Sequence, residues 1–133
     1  MFYMLDTNAC IGVIKNNPPV LRQRLFQWDV AQVAISSIVL YELEYGVCRS
    51  QQVARNRTNL DAFLSYIQVL EWTEEQSQEA ALVRCELAQL GQPIGYYDTL
   101  IAAHARSLKV TLVTHNVGEF ERVQGLLLED WEM

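Results

Sequence analysis

Apolar runs of three or four residues alternate along this chain with longer stretches of helical periodicity, and that alternation limits the folds open to it. Phe2 to Leu5 and Val33 to Ile35 are rich in residues that suit a pleated surface, and Val69 to Trp72 and Thr111 to Thr114 repeat the pattern. The spacing predicts helices over Pro19 to Trp28, Ser37 to Arg49, Ala54 to Ile67, Thr73 to Leu90 and Tyr96 to Leu108. The segment from Thr73 is the clearest. Thr73 and Gln76 fit a capping box, Ala80, Leu82, Val83, Leu87 and Leu90 supply an apolar face, and Gly91 can terminate the helix. Such alternation points to an α/β layered domain with a mostly parallel sheet. Sites in such sheets form in the crevice beyond the carboxyl ends of the strands, where Asp6 would stand.

The chain's 133 residues suit one domain with a sizeable core, residues 1–133 throughout. Sixteen acidic against ten basic side chains, a net charge of −6, argue against a protein that coats nucleic acid by charge alone. A polyanionic substrate would need a local device. Cys10, Cys48 and Cys85 lie far apart and form no CxxC, which suits a reduced compartment and small core residues. No stretch approaches the roughly 18 to 20 apolar residues of a membrane span, and no basic-then-apolar leader opens the chain, so the expected address is the cytoplasm.

Most acids of a soluble protein are solvated surface groups, so each carboxylate is weighed against the periodicity of its own element. In the helix from Ser37 the apolar stripe runs through Ile38, Val39, Leu43 and Val47, and Glu42 falls on it, whereas Glu44 points elsewhere. Asp98 opens a helix whose Ile101, Ala102 and Ala105 share its side, although an acid in a first helical turn has the simpler role of meeting the helix dipole. Asp6, Glu42 and Asp98 together would repel one another without a cation between them. Oxygen ligands select Mg²⁺ or Mn²⁺, and neither His104 nor His115 belongs to a cluster with zinc-like spacing. The segment "LVTHNVGEFERV", residues 112 to 123, repeats the pattern of the opening strand: an apolar run ends in Thr114, then Asn116 and Glu119 follow. An ordinary capped loop is the simpler reading of that segment. For Glu119 the two readings balance, and for Thr114 and Asn116 their position favours a role at the site.

These residues resemble a known family. "MLDTN" at 4 to 8, "ISSIVLYELEYG" at 35 to 46, "GQPIGYYDTLIAAHA" at 91 to 105 and "LVTHNVGEFERVQGLLLEDW" at 112 to 131 are together similar to PIN-domain ribonucleases, specifically the VapC toxins of bacterial toxin–antitoxin pairs. The resemblance implies a PIN fold, a three-layer arrangement with a mostly parallel sheet between helices, and Mg²⁺ or Mn²⁺ held by Asp6, Glu42 and Asp98. Many relatives carry Asp where this chain has Asn116 and Glu119, a departure that weakens a second metal position and leaves the first intact. The resemblance further implies an RNA endonuclease directed at the anticodon stem-loop of initiator tRNA. A VapB-like antitoxin would bring an arginine to the carboxylates, and the toxin would form a homodimer.

In that frame Thr7, Asn8 and Thr114 orient the site by hydrogen bonding, Asn116 anchors water or phosphate, and Glu119 supports the metal cluster. Lys15, Arg22, Arg24, Arg49, Arg55 and Arg57 are candidate RNA contacts, although each alone reads as a solubilising charge. Tyr96 or Tyr97 could stack on a base. Leu21, Leu25, Phe26, Trp28, Leu40 and Tyr45 could line a partner groove or simply be core. A dehalogenase-type phosphotransferase wants a second acid where Asn8 stands, and a receiver-type phosphoacceptor wants a buried Asp that "VLEWTEE" does not offer. A degenerate PIN domain that binds RNA without cutting it gains from Asn116 and loses from the intact Asp6, Glu42 and Asp98.

Overall fold

The computed structural model describes residues 2–133. Five parallel strands form one sheet: β1 (Tyr3–Leu5), β2 (Val33–Ser36), β3 (Gln68–Leu70), β4 (Thr111–Val113) and β5 (Leu127–Glu129), in the order β3-β2-β1-β4-β5. Helices flank it: α1 (Thr7–Lys15), α2 (Pro19–Leu25), α3 (Ser37–Cys48), α4 (Val53–Leu64), α5 (Glu74–Gln89), α6 (Tyr96–Leu108) and the short α7 (Val117–Phe120). The α/β expectation from the alternating pattern is met. No described helix is long and apolar enough to cross a membrane.

The central strands are buried on both faces, which is why they read as continuous apolar runs; Met4, Leu5, Ala34, Ile35, Leu112 and Val113 are almost wholly enclosed. Strand order carries the functional consequence. From β1 the chain builds β2 and β3 to one side, then returns to lay β4 and β5 on the other. The order therefore reverses between β1 and β4, and side chains leaving their carboxyl ends enter a crevice that no crossover covers.

Several expected boundaries move. Helix α1 was absent from the periodicity reading, yet it follows β1 after a single residue, because Asp6 accepts a hydrogen bond from the Ala9 N–H at 2.8 Å and caps the first turn. Strand β5 also went unread, since its three residues at the sheet edge are only partly buried. Helix α5 is capped as expected: the Thr73 N–H donates to Gln76 Oε1 at 2.9 Å, and Gly91 follows its end at φ +66°. Its apolar face is narrower than the pattern suggested, however, because α5 packs on α6 rather than on the sheet, burying Ala80, Val83 and Leu87 and leaving Leu82 and Leu90 exposed. Of the cysteines only Cys10 is a core residue; Cys48 and Cys85 are exposed, and all three are free thiols.

Helix α6 is lined with small buried residues, Ala102, Ala103 and Ala105, which let its backbone approach the sheet. Arg106 fastens α5 to α6 through Glu79 and Glu86, at 3.1 and 2.7 Å. At the other end of the chain α1 and α2 approach closely at Gly12, where a Cβ would collide with Leu21 Cδ1 and lie 3.3 Å from the Asn17 carbonyl oxygen. Gly12→Ala is therefore expected to lower the unfolding free energy by about 1–3 kcal/mol, measured by urea denaturation, because buried Leu21 must be displaced to admit the methyl group.

Candidate active site

The crevice beyond β1 and β4 gathers carboxylates from four elements. Asp6 follows β1, Glu42 stands on the second turn of α3, Asp98 in the first turn of α6, and Glu119 on α7. Asp98 feels the charges of Glu119, Asp6 and Glu42, and Asp6 feels Glu42. All four share one electrostatic neighbourhood.

Asp6, Glu42 and Glu119 are held by neutral donors, and Asp98 instead meets the Glu119 carboxyl. Thr7, the first residue of α1, donates its hydroxyl to Glu42 Oε1 at 2.6 Å and so ties α1 to α3. The Gly95 N–H donates to Glu119 Oε1 at 3.1 Å, and the Asn116 amide donates to Glu119 Oε2 at 2.5 Å. Thr114 Oγ1 accepts from the Asn116 N–H at 3.0 Å and also lies beside Asp6. A Cβ at Gly95 would sit 3.5 Å from Asp98 Oδ2 and 4.0 Å from Glu119 Oε1, which places this backbone directly against both acids.

Electrostatics moves Asp6 and Asp98 one way and Glu119 the other. Burial raises the pKa of Asp6, and the Thr114 hydroxyl and the Ala9 N–H offset part of that rise. Asp98 is pushed up to about 7, first by burial and then by the charge and hydrogen bond of Glu119. Burial also acts on Glu119, but the Gly95 N–H and the Asn116 amide outweigh it and hold that carboxyl below its usual range. Within the Asp98–Glu119 pair Asp98 is therefore the more basic member, and below about pH 7 the pair favours one shared proton.

This pattern fits a hard divalent cation. Asp6, Glu42 and Asp98 act on one another electrostatically, no ion pair ties any of them to a lysine or arginine among the described residues, and the charge contribution to the raised pKa of Asp98, second to burial, is what a cation would relieve.

A buried staple aligns two of these acids. His104 Nδ1 lies 2.8 Å from Ser36 Oγ; Ser36 caps α3, which carries Glu42, while His104 belongs to α6, which carries Asp98. Burial keeps the imidazole neutral, its pKa down to about 4. Nothing in local spacing joins these two residues, since a lone histidine on an apolar stripe has no partner within its own element.

The other sequence-derived candidates separate. Asn8 projects from α1 into solvent, and among the described residues it makes no side-chain hydrogen bond, so the expected bracing role has no contact behind it. Glu44 pairs with Arg57 of α4, away from the crevice. Arg22 caps the end of α1 through the Val13 and Ile14 carbonyls, and Arg24 pairs with Glu129 at 3.0 Å, so Arg22, Arg24 and Arg57 are engaged internally. Leu21 and Leu25, offered as groove lining, are core.

Sequence reasoning passed over Gly95, Tyr41 and the cluster of His115, Asp130 and Glu132. The His115 Nδ1 lies 2.9 Å from Asp130 Oδ2 and 3.6 Å from Glu132 Oε2, and Glu132 adds negative potential at Asp6. The carboxylate partners of His115 come from beyond β5, which local periodicity does not connect to β4.

Residues 3–126 match the model of the PIN domain family. The chain is 45% identical over 129 residues to a tRNA(fMet)-specific endonuclease VapC of Shigella flexneri, covering 97% of each. Among solved structures it superposes on VapBC2 from Rickettsia felis bound to a DNA fragment from its promoter, with a TM-score of 0.93, 41% identity and coverage of 98% of this chain and 99% of that one. DNA-bound VapBC from Salmonella typhimurium gives a TM-score of 0.93 at 42% identity, covering 98% of both.

The raised pKa of Asp98 sets a pH signature for the metal-free chain. Between about pH 4 and 7 the folded state keeps a proton that the unfolded state has released, so Asp98 lowers stability as pH rises. His104 acts in the opposite sense: the unfolded chain takes up a proton below about pH 6.5 that the folded chain refuses until about 4, so stability falls as pH drops. Asp98→Asn removes the first contribution and keeps the second. In chelator, the variant is expected to be more stable than the parent at pH 7 and to lose that advantage by pH 4, as read by urea unfolding.

Proposed function

Given that the chain belongs to the PIN-domain family, among its VapC ribonucleases, we propose that it is the toxin of a toxin–antitoxin pair and a divalent-metal-dependent endoribonuclease. Residues 1–133 act as a single PIN domain, and the enzyme works in the cytoplasm. The observation that carries this reading is the gathering of Asp6, Glu42, Asp98 and Glu119 in one electrostatic neighbourhood where the strand order reverses, with burial and the neighbouring charges together raising the pKa of Asp98 to about 7.

Asp6, Asp98 and Glu42 would hold Mg²⁺ or Mn²⁺. Such an ion, when bound, neutralises charge building on a phosphodiester and lowers the pKa of water. The chain's own residues do the rest. Thr7 fixes the rotamer of Glu42 through a 2.6 Å bond, and Thr114 orients Asp6. Gly95 and Asn116 hold Glu119 ionised and aimed at Asp98, so Glu119 is the carboxylate placed to accept the proton released by the attacking water. The free carbonyl oxygen of Asn116 serves as an anchor for water or phosphate.

The S. flexneri relative is specific for tRNA(fMet), and we extend that substrate, cut in its anticodon stem-loop, to this chain. The R. felis and S. typhimurium neighbours are VapBC assemblies. A VapB-like antitoxin is accordingly the partner here, silencing the site by placing an arginine guanidinium among the carboxylates, where its fork matches their geometry. The toxin acts as a homodimer.

Purified chain freed of partner is expected to cut initiator tRNA with Mg²⁺ or Mn²⁺ and to stop in excess chelator; cleavage that persists there would refute the metal-dependent mechanism. Asp6→Asn and Asp98→Asn should each reduce cleavage by at least about 100-fold, and Thr7→Val by about 10- to 100-fold, through loss of the group that orients Glu42. Mapping the ends of RNAs cut in cells expressing the chain alone tests the substrate. Equal growth of cells expressing the parent and Asp6→Asn would remove the toxin assignment.

A further inference from the structure

A groove of about 1140 Å³ opens from the site between α1, α3 and α4. Its near end holds Thr7 and Glu42, and its walls carry Lys15 at the end of α1, Arg49 just after α3 and Arg55 on α4. That volume exceeds the roughly 300–1,000 Å³ of a small-molecule pocket and suits a polymer.

Charge selects the polymer. Glu42 is the one carboxylate lining this groove among the described residues, against three cations, in a chain whose net charge is −6. The three are also uncommitted. Arg24, Arg57 and Arg106 pair with carboxylates, whereas Arg49 lies over the Tyr45 ring at 5.6 Å and Arg55 reaches only Gln52, at 3.2 Å. No ion pair engages Lys15 among the described residues.

At the mouth stands an aromatic pair. Tyr41 of α3 and Tyr97 of α6 approach with ring centroids 5.6 Å apart and hydroxyls 3.4 Å apart, yet remain 53% and 45% exposed. Each immediately precedes an acid of the site, Glu42 or Asp98. Exposed rings beside a phosphate-cleaving centre, followed by spaced cations, match the needs of an unpaired strand, whose bases offer free faces that a duplex keeps stacked.

We propose that this groove is the track for the single-stranded RNA flanking the scissile phosphate. Tyr41 and Tyr97 stack on the base beside the cut, and Lys15, Arg49 and Arg55 bind successive backbone phosphates. The inference rests on the nuclease reading and adds which residues hold the substrate.

The test measures binding without cleavage. The full chain in chelator is titrated with a fluorescent single-stranded oligonucleotide and with the anticodon stem-loop of initiator tRNA, at several salt concentrations. The triple variant Lys15→Gln, Arg49→Gln, Arg55→Gln is expected to weaken binding at least about tenfold and to flatten the slope of log K against log salt by about 2, since each phosphate contact on a single strand contributes about 0.7. Tyr97→Leu and Tyr41→Leu should each cost about 5- to 100-fold, with Tyr97→Phe restoring affinity, because stacking needs the ring and not the hydroxyl. Lys109→Gln, at the far end of α6, is the control. The track is overturned if the triple variant, folded by circular dichroism, keeps the parent's affinity and salt slope, or if the parent itself binds no single strand. It is equally overturned if the triple variant loses binding only to an antitoxin peptide, which would make the groove a protein-docking surface. Failure of the nuclease reading is separate, because it shows as uncut RNA in Mg²⁺ whatever the binding curves do.

Discussion

Four carboxylates crowded at one end of a parallel sheet are the constraint around which the rest of the molecule is arranged. Burial and like charge together oppose full ionisation of the cluster, and the chain answers with a raised pKa at Asp98 and a set of neutral donors on the others. The donors come from elements far apart in sequence: Thr7 at the start of α1, Gly95 just before α6, Asn116 just before α7. A surface cluster of acids would need none of them. Their presence means that the acids are positioned as a set.

Positioning on that scale depends on the backbone that carries it. Asp6 has two tasks, since one oxygen caps α1 while the carboxylate faces the crevice. That cap also turns the chain from strand into helix within one residue, which places Thr7 where it can reach Glu42. The His104–Ser36 bond links α6 to the cap of α3, so the helices bearing Asp98 and Glu42 are joined through a buried, uncharged contact. Neutrality matters here. A protonated imidazole would be an uncompensated buried charge, and burial prevents it across the physiological range.

The surrounding charge follows from the same economy. Half of the arginines are spent on structure: Arg106 clamps α5 to α6, Arg57 ties α4 to α3, Arg24 meets β5, and Arg22 closes the end of α1. An acidic protein with half of its arginines so engaged has little generic attraction for RNA, and the groove stands out because Lys15, Arg49 and Arg55 line it together without carboxylate partners. Net charge thus describes the whole surface poorly.

What the sequence determined by itself was whatever short-range periodicity encodes. The alternation of apolar runs with helical stripes set the α/β class, and the same stripes exposed Glu42 and Asp98 as acids on faces that ought to be apolar, while Asp6 and Thr114 stood at the ends of apolar strands. Helix α1 escaped because its first turn overlaps the polar end of β1, and β5 because a three-residue edge strand buries too little to leave a pattern. Leu82, Cys48 and Cys85 were read as core because composition records hydrophobicity and not which helix faces which. Only the tertiary structure decided that β1 and β4 are neighbours at the reversal of strand order, that Asp98 and not Glu119 is the more basic acid, that His115 meets Asp130, and which cations are left free. Each of these depends on distances between residues dozens of positions apart, and Coulomb and hydrogen-bond energies are functions of those distances, not of spacing along the chain.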